Sequence, residues 1–192
     1  MNAADAAGFT DTARCRNLNQ NTKEKYFMKM PVLVERTFPV RESDFPFTIA
    51  IDSREQVPFM FNFSGIPLRT ERRGLRTGDY SICGLEKVVC VERKSKADFF
   101  GSVSKGRERF EREFERMAQM KRACLVCESS QDEILNGLTN SRMDPFSVLR
   151  TAVSWAGRYR IPFFFCSSRK EAEWVTAEFL RFAWLEFVKN AQ

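Results

Sequence analysis

The sequence predicts an α/β domain built on a mixed central sheet with helices on both sides. Three observations carry that expectation. Short apolar, β-prone runs recur at 47–52, 78–94, 122–128 and 161–166. Two of them, GDYSI (78–82) and KVVCVERK (87–94), are parted only by CGLE, a Gly-containing turn, and read as a hairpin. The later strands alternate with helical patterns, the signature of a sheet covered on both sides.

The elements follow in order. Residues 1 to about 30 are polar and aperiodic, and VLV (32–34) is a strand or a piece of tail. The compact part is expected from Phe45, dividing the chain into a polar, partly disordered extension (1–44) and one domain (45–192). FTIAID (47–52) is a short strand ending in an acid, and SREQVPF (53–59) leaves it as a loop. RTERRGLR (69–76) is a basic patch, and KADFFGSV (96–103) is a short helix. RERFEREFERMAQMK (107–121) is strongly helical. Phe110, Phe114 and Met117 recur at helical spacing, and Glu108/Arg112 and Arg109/Glu113 are ion pairs four apart. RACLVCE (122–128) is a buried strand. Asp144 caps a helix with Pro145 at its first position, and Leu149, Ala152, Val153 and Ala156 form its apolar stripe. IPFFFC (161–166) is another buried strand. Ser168 and Glu171 form a capping box for a last helix that buries Val175, Phe179, Phe182 and Leu185.

Composition narrows the chemistry. The chain has 192 residues, 43% hydrophobic and 29% charged, the balance of a folded domain. No apolar run approaches the roughly 18 residues of a membrane span, so no membrane partner is expected. There is no His, which removes Ser-His-Asp triads, His-ligated zinc and His general bases. Catalysis must come from carboxylates, Lys, Tyr, Cys or an oxygen-held metal. The net charge is +6, and residues 51–125 hold 16 basic against 11 acidic groups, nearly the whole excess. An anionic partner meeting that stretch is the natural reading. Cys124 and Cys127 sit inside the apolar run ACLVC, with no second CxxC, and read as strand packing rather than a zinc ribbon. The N-terminus has no secretory pattern, and a reducing, intracellular setting is expected.

One constellation carries chemistry. Asp52 ends the first strand, Asp79 opens the second, and Glu92 and Lys94 lie two apart on the third. Period two puts Glu92 and Lys94 on one face and turns Arg93 away. If the hairpin pairs, two carboxylates and an ammonium converge. Mg²⁺ is usually held by one or two carboxylates plus water and substrate phosphate, so Asp79 and Glu92 could supply its protein oxygens. Glu55, with Asp52 in DSRE, could help hold an ion, and Lys94 could orient water or stabilise charge on phosphorus.

Four blocks in order, DSREQVPF, GDYSI, VERKSKADFFGSV and GRERFEREFERM, resemble the nuclease domain of XPF-type structure-specific endonucleases. That family belongs to the PD-(D/E)XK, restriction-endonuclease-like superfamily. Its hallmark, G-D followed by V-E-R-K-x-x-x-D, stands here as Gly78-Asp79 and Val91 to Asp98. The resemblance runs from about Phe47 to Phe165 and on into the last helix. It implies a restriction-endonuclease-like sheet and catalytic roles for Asp52, Asp79, Glu92 and Lys94. It implies metal ligation by Asp79, Glu92, the Arg93 carbonyl and Glu55, with Mg²⁺ or Mn²⁺ as cofactor. Arg54, Asp98 and Arg107 are expected to support the site. Arg69, Arg72, Arg73, Arg76, Lys96, Lys105 and Arg107 are expected to meet DNA phosphates, whereas Arg109, Arg112 and Arg116 are expected to pair with helix glutamates.

The activity so implied is metal-dependent hydrolysis of DNA phosphodiesters at branched, flap or duplex structures, in repair, recombination or replication. No small-molecule substrate is expected. A homodimer or partner protein is expected from the resemblance, with Trp155 and Trp184 as candidate contact residues. The absence of a helix-hairpin-helix block after the last helix suggests the stand-alone microbial or viral form, hence a cytoplasm, nucleoid or host-cytoplasm setting. The rival reading is a non-catalytic DNA-binding or partner-regulating module on the same fold, against which the intact Glu92-Arg93-Lys94 speaks. A ribonuclease or restriction-type nuclease is the other rival.

Overall fold

The computed structural model describes residues 38–190. The run VLV at 32–34 and most of the expected extension lie outside these residues. Packing against the domain is already present upstream of Phe45: Val40 is buried, and Phe38 stacks on Trp174 at 5.3 Å.

Six strands form the main sheet. They are β1 (Ile49–Asp52), β4 (Thr70–Arg73), β5 (Tyr80–Ile82), β6 (Val89–Ser95), β7 (Arg122–Glu128) and β8 (Phe163–Phe165), in the order β4-β1-β5-β6-β7-β8. β5 runs antiparallel to both β1 and β6, whereas β1/β4, β6/β7 and β7/β8 are parallel. The sheet is therefore mixed, as the sequence predicts. A separate two-stranded ribbon, β2 (Asn62–Phe63) with β3 (Ile66–Pro67), follows the loop after β1.

Two cores, one on each face, explain the continuous apolar runs of β6 and β7. Val89, Val91, Cys124 and Val126 point into one, where Phe59, Phe61, Phe63 and Tyr80 pack with α5 (Arg169–Asn190). Cys90, Leu125 and Cys127 point into the other. That second core takes α1 (Lys96–Val103), α2 (Arg107–Met117) and α4 (Pro145–Tyr159) through Phe99, Phe100, Phe114 and Trp155. Cys124 and Cys127 are fully buried strand residues. A short helix, α3 (Gln131–Leu135), begins at a Ser130/Glu133 capping box.

Several expectations need correction. β2, β3, β4 and α3 are absent from the sequence reading. β4 reads TERR and is exposed throughout, so it carries no apolar alternation to reveal it. α2 ends at Met117 instead of continuing to Lys121. On α4 the buried side chains are Val148, Ala152 and Trp155, while Val153 is 74% exposed. Trp155 is core and offers no surface to a second subunit. α5 buries Ala172, Thr176, Ala177, Leu180 and Ala183, leaving Phe182 60% exposed. The helix lies close on the sheet, where small residues fit and the larger Phe182 does not. Its capping box is only half formed: Glu171 N–H donates to Ser168 Oγ, but the Glu171 carboxylate takes the Ser167 N–H. β8 is a half-buried edge with Phe164 turned outward. No described helix is long and apolar enough to cross a membrane.

Candidate active site

The hairpin register places Tyr80 opposite Val91, so Asp79 and Glu92 lie beside one another just beyond the paired residues. Gly78 makes this possible. Its φ is +74°, and a Cβ there would stand 2.9 Å from the Val91 carbonyl oxygen. The chain can therefore turn tightly, and Asp79 N–H donates to Val91 O at 2.8 Å. The Asp79 carbonyl accepts the Asp52 N–H at 2.8 Å, and its Oδ2 accepts the Arg93 N–H at 2.8 Å. Asp79 is thus pinned between β1 and β6.

Glu92 and Lys94 share one face of β6, as period two requires, and their side chains pair directly. Lys94 Nζ lies 5.0 Å from the Phe110 ring centre on α2. Arg93 points to the other face, where it pairs with Glu128 and with Glu55 Oε1 at 3.3 Å. A cleft of about 820 Å³ opens here. Its walls bring together Asp52, Glu55, Asp79, Glu92, Lys94 and Asp98, along with Arg76 from the basic patch. Three residues of α2, Arg109, Glu113 and Arg116, also line it.

The electrostatics follow from burial and crowding. Burial, reinforced by the Glu92 charge, pushes the Asp79 carboxyl up from 3.8 to about 8. Glu92 is raised too, chiefly by burial, with Lys94 opposing. Burial alone would lower the Lys94 pKa, but the Glu92 and Asp79 charges outweigh it and the net shift is upward. Without a further cation, Lys94 is an ammonium bonded to Glu92, and the Asp79 carboxyl is held well above the usual carboxylate range.

Other expected residues lie as follows. Asp52 is only 3% exposed, and its carboxylate is occupied by protein: Arg54 Nε at 2.8 Å and the Leu75 N–H at 3.3 Å. Glu55 accepts the Val57 N–H at 2.8 Å besides pairing with Arg93. Asp98 closes the N-terminus of α1 with Ser95, donating N–H to Ser95 Oγ and accepting its hydroxyl at 2.6 Å. Arg107 lies 5.1 Å from the Trp155 ring centre and pairs with Glu111 at 3.5 Å. Arg72 is spent on the Ser53 and Glu55 carbonyls, and Arg73 on Glu71 and Glu86. Arg69 is exposed, Lys96 starts α1 half-buried, and Lys105 lines a separate groove with Arg142. The expected pairs Glu108/Arg112 and Arg109/Glu113 do not form among the described residues; α2 uses Arg107/Glu111 and Glu113/Arg116 instead.

Three residues around the cleft escaped the sequence reading. Glu113 reaches in from α2. Glu128, at the end of β7, accepts from both Arg93 and Arg169 through one oxygen. Arg169 also donates to the carbonyls of Val57 and Pro58 at 2.7 and 2.9 Å. The Phe59 ring lies close to both guanidinium groups, at 5.5 and 4.8 Å, and stacks on Tyr80. Nothing local in a sequence announces contacts made across 41 and more than 100 residues; the strand-end position of Glu128 was the only available hint.

Among the described residues no group of three or more Cys, Asp or Glu side chains is arranged to hold a metal ion. A divalent ion is nevertheless compatible with the donors present. One oxygen of each acid, Asp79 Oδ1 and Glu92 Oε2, has no hydrogen-bond partner among the described residues. Two hard oxygens supplemented by water and phosphate make an ordinary Mg²⁺ set.

Residues 51–179 match the family model described as ERCC4 domain. Two solved structures are similar. XPF from Aeropyrum pernix is 20% identical over 71% of this chain and 61% of that one, with a TM-score of 0.58. XPF from Aeropyrum pernix in complex with DNA is 19% identical over 73% and 66%, with a TM-score of 0.55. The chain thus spans less than two thirds of either protein, and at these identities the likeness is one of fold. No curated protein matches.

Proposed function

The chain belongs to the ERCC4 domain family and has an XPF-type nuclease fold, and from that premise we propose that it is a divalent-metal-dependent DNA endonuclease. The reaction is hydrolysis of a phosphodiester: a water oxygen bonds to phosphorus as one of the existing ester P–O bonds breaks. The substrate is DNA, branched, flapped or duplex, and the setting is intracellular repair, recombination or replication. The single observation that carries the reading is the meeting of Asp79, Glu92 and Lys94 in one polar cleft, with both acids held above their ordinary pKa. Perturbed carboxylates in a cleft are the usual mark of a working site.

The roles follow from the geometry. Asp79 and Glu92 would hold Mg²⁺ or Mn²⁺ through their unpaired oxygens, with the Arg93 carbonyl and Glu55 as the further donors. When bound, the ion supplies Lewis-acid polarisation of the phosphodiester and eases deprotonation of the attacking water. Lys94, kept protonated by its neighbours, donates to the attacking water or to a phosphate oxygen. Asp52 is a positioning residue, since its carboxylate holds Arg54 and the Leu75 backbone in place. Arg76, which lines the cleft, is the first candidate for phosphate contact; Arg69, Lys96 and Lys105 would act farther along the strand. A homodimer or a partner protein completing the grip on DNA belongs to the same proposal.

The test is Asp79→Asn, which removes charge and almost no volume. Purified protein is incubated with flap, fork and duplex DNA in Mn²⁺ or in EDTA. Wild type cleaves only with the ion, and Asp79→Asn loses on the order of a thousandfold in rate while binding DNA normally. Cleavage by the variant at the wild-type rate sinks the assignment. Labelled RNA in the same series distinguishes a ribonuclease.

A further inference from the structure

Glu113 lies in the cleft, yet none of the roles above uses it. Its Oε1 accepts the N–H of Gly78 at 3.2 Å. Its other oxygen pairs with Arg116, which also lines the cleft. From this geometry we infer that Glu113 is a positioning residue: it clamps the Gly78–Asp79 turn from α2 and so fixes where the Asp79 carboxylate stands.

The need for a clamp comes from the glycine. Asp79 itself is fixed by β1 and β6 through its N–H and carbonyl. The chain enters that position through Gly78, a residue with no side chain and a wide choice of backbone angles. Its φ of +74° is one that other residues adopt at a cost, and a Cβ there would collide with the Val91 carbonyl. The turn therefore cannot be stiffened by substitution at position 78. A hydrogen bond from outside is the remaining device, and a carboxylate acceptor makes a strong one.

The helix that supplies it is itself rigidly placed. Phe110 and Phe114 flank Glu113 on α2, with ring centres 4.9 Å apart, and both pack on Trp155. Phe114 also stacks on Phe163 of β8. Lys94 lies over Phe110. One face of one helix thus sets Lys94 through Phe110 and the Asp79 turn through Glu113. The spacing between the ammonium and the acid is then a property of how α2 docks on the sheet. The catalytic consequence rests on the nuclease reading; the clamp does not.

Two substitutions separate the roles open to Glu113. Glu113→Gln keeps an oxygen able to accept from Gly78 but removes the charge. Glu113→Ala removes both. Four quantities are measured: amide hydrogen exchange at Gly78, Mn²⁺ affinity by calorimetry, and kcat and KM on the DNA that wild type cleaves best. A positioning role predicts that Glu113→Gln retains slow Gly78 exchange and kcat within about threefold of wild type. Glu113→Ala exchanges Gly78 faster and loses on the order of tenfold in kcat at unchanged KM. If Glu113→Gln is as impaired as Glu113→Ala and binds Mn²⁺ more weakly, Glu113 acts through its charge on the ion and the inference is overturned. Wild-type Gly78 exchange in Glu113→Ala overturns it as well. Should wild type cleave no DNA, the nuclease reading fails, while the exchange measurement still decides the clamp.

Discussion

Asp79 sits beside Glu92 on one side and accepts the Arg93 N–H on the other, and burial dominates the balance. Its carboxyl titrates near 8 in the folded chain against 3.8 ordinarily. The folded state therefore keeps a proton that the unfolded chain has released. Stability contributed by the protonated acid is complete below about 4 and is lost as pH climbs through about 8. In EDTA, the urea midpoint of wild type should fall across this window. Asp79→Asn keeps an acceptor for the Arg93 N–H and has no proton to lose. It should show a shallower fall and be more stable than wild type at pH 8 by about 1–3 kcal/mol. Parallel pH profiles for the two proteins would show that Asp79 is not the strained group. At this scale the sequence was informative where spacing alone decides orientation. Glu92, Arg93 and Lys94 alternate faces because strands do, and Gly78-Asp79 follows from the turn. Glu113, Glu128 and Arg169 are set by tertiary packing, to which spacing is blind.

Among elements, the loop between β1 and β2 shows how much of the cleft wall is held from outside itself. Residues 53–59 were legible as a loop, but not as a fixed one. Arg169, the first residue of α5, holds the Val57 and Pro58 carbonyls, and Phe59 N–H donates to the Tyr80 hydroxyl at 3.0 Å. Arg169→Met removes the guanidinium while sparing the stem. It should cost about 1–3 kcal/mol, since Arg169 is partly exposed, and should speed amide exchange at Phe59 by an order of magnitude. Unchanged exchange there would mean that Arg169 does not anchor this part of the loop. The buried stripe of α5 differs from the one its large residues predict. Phe179 and Phe182 dominate the pattern by size, yet the sheet admits the alanines. β4 was illegible for the opposite reason: an edge strand with four exposed polar residues has no alternation to read.

Taken whole, the domain is a six-stranded sheet with a separate core on each face, and the cleft forms where the β5–β6 hairpin, the β1 loop and α2 meet. Hairpin and helix alternation were enough to give the mixed, two-sided architecture, because continuous apolar strands require cover on both faces. Which helix walls the cleft was not readable, because α2 reads as an amphipathic surface helix whose charged face could point anywhere. Its docking brings Arg109, Glu113 and Arg116 to the site and leaves Arg107 against Trp155. The proposed reaction requires a divalent ion between Asp79 and Glu92. Anomalous diffraction from crystals soaked in Mn²⁺ measures this directly. One strong peak is expected within about 2.5 Å of an oxygen of each acid, absent in Asp79→Asn. A peak elsewhere, or none with both acids ordered, contradicts the proposal.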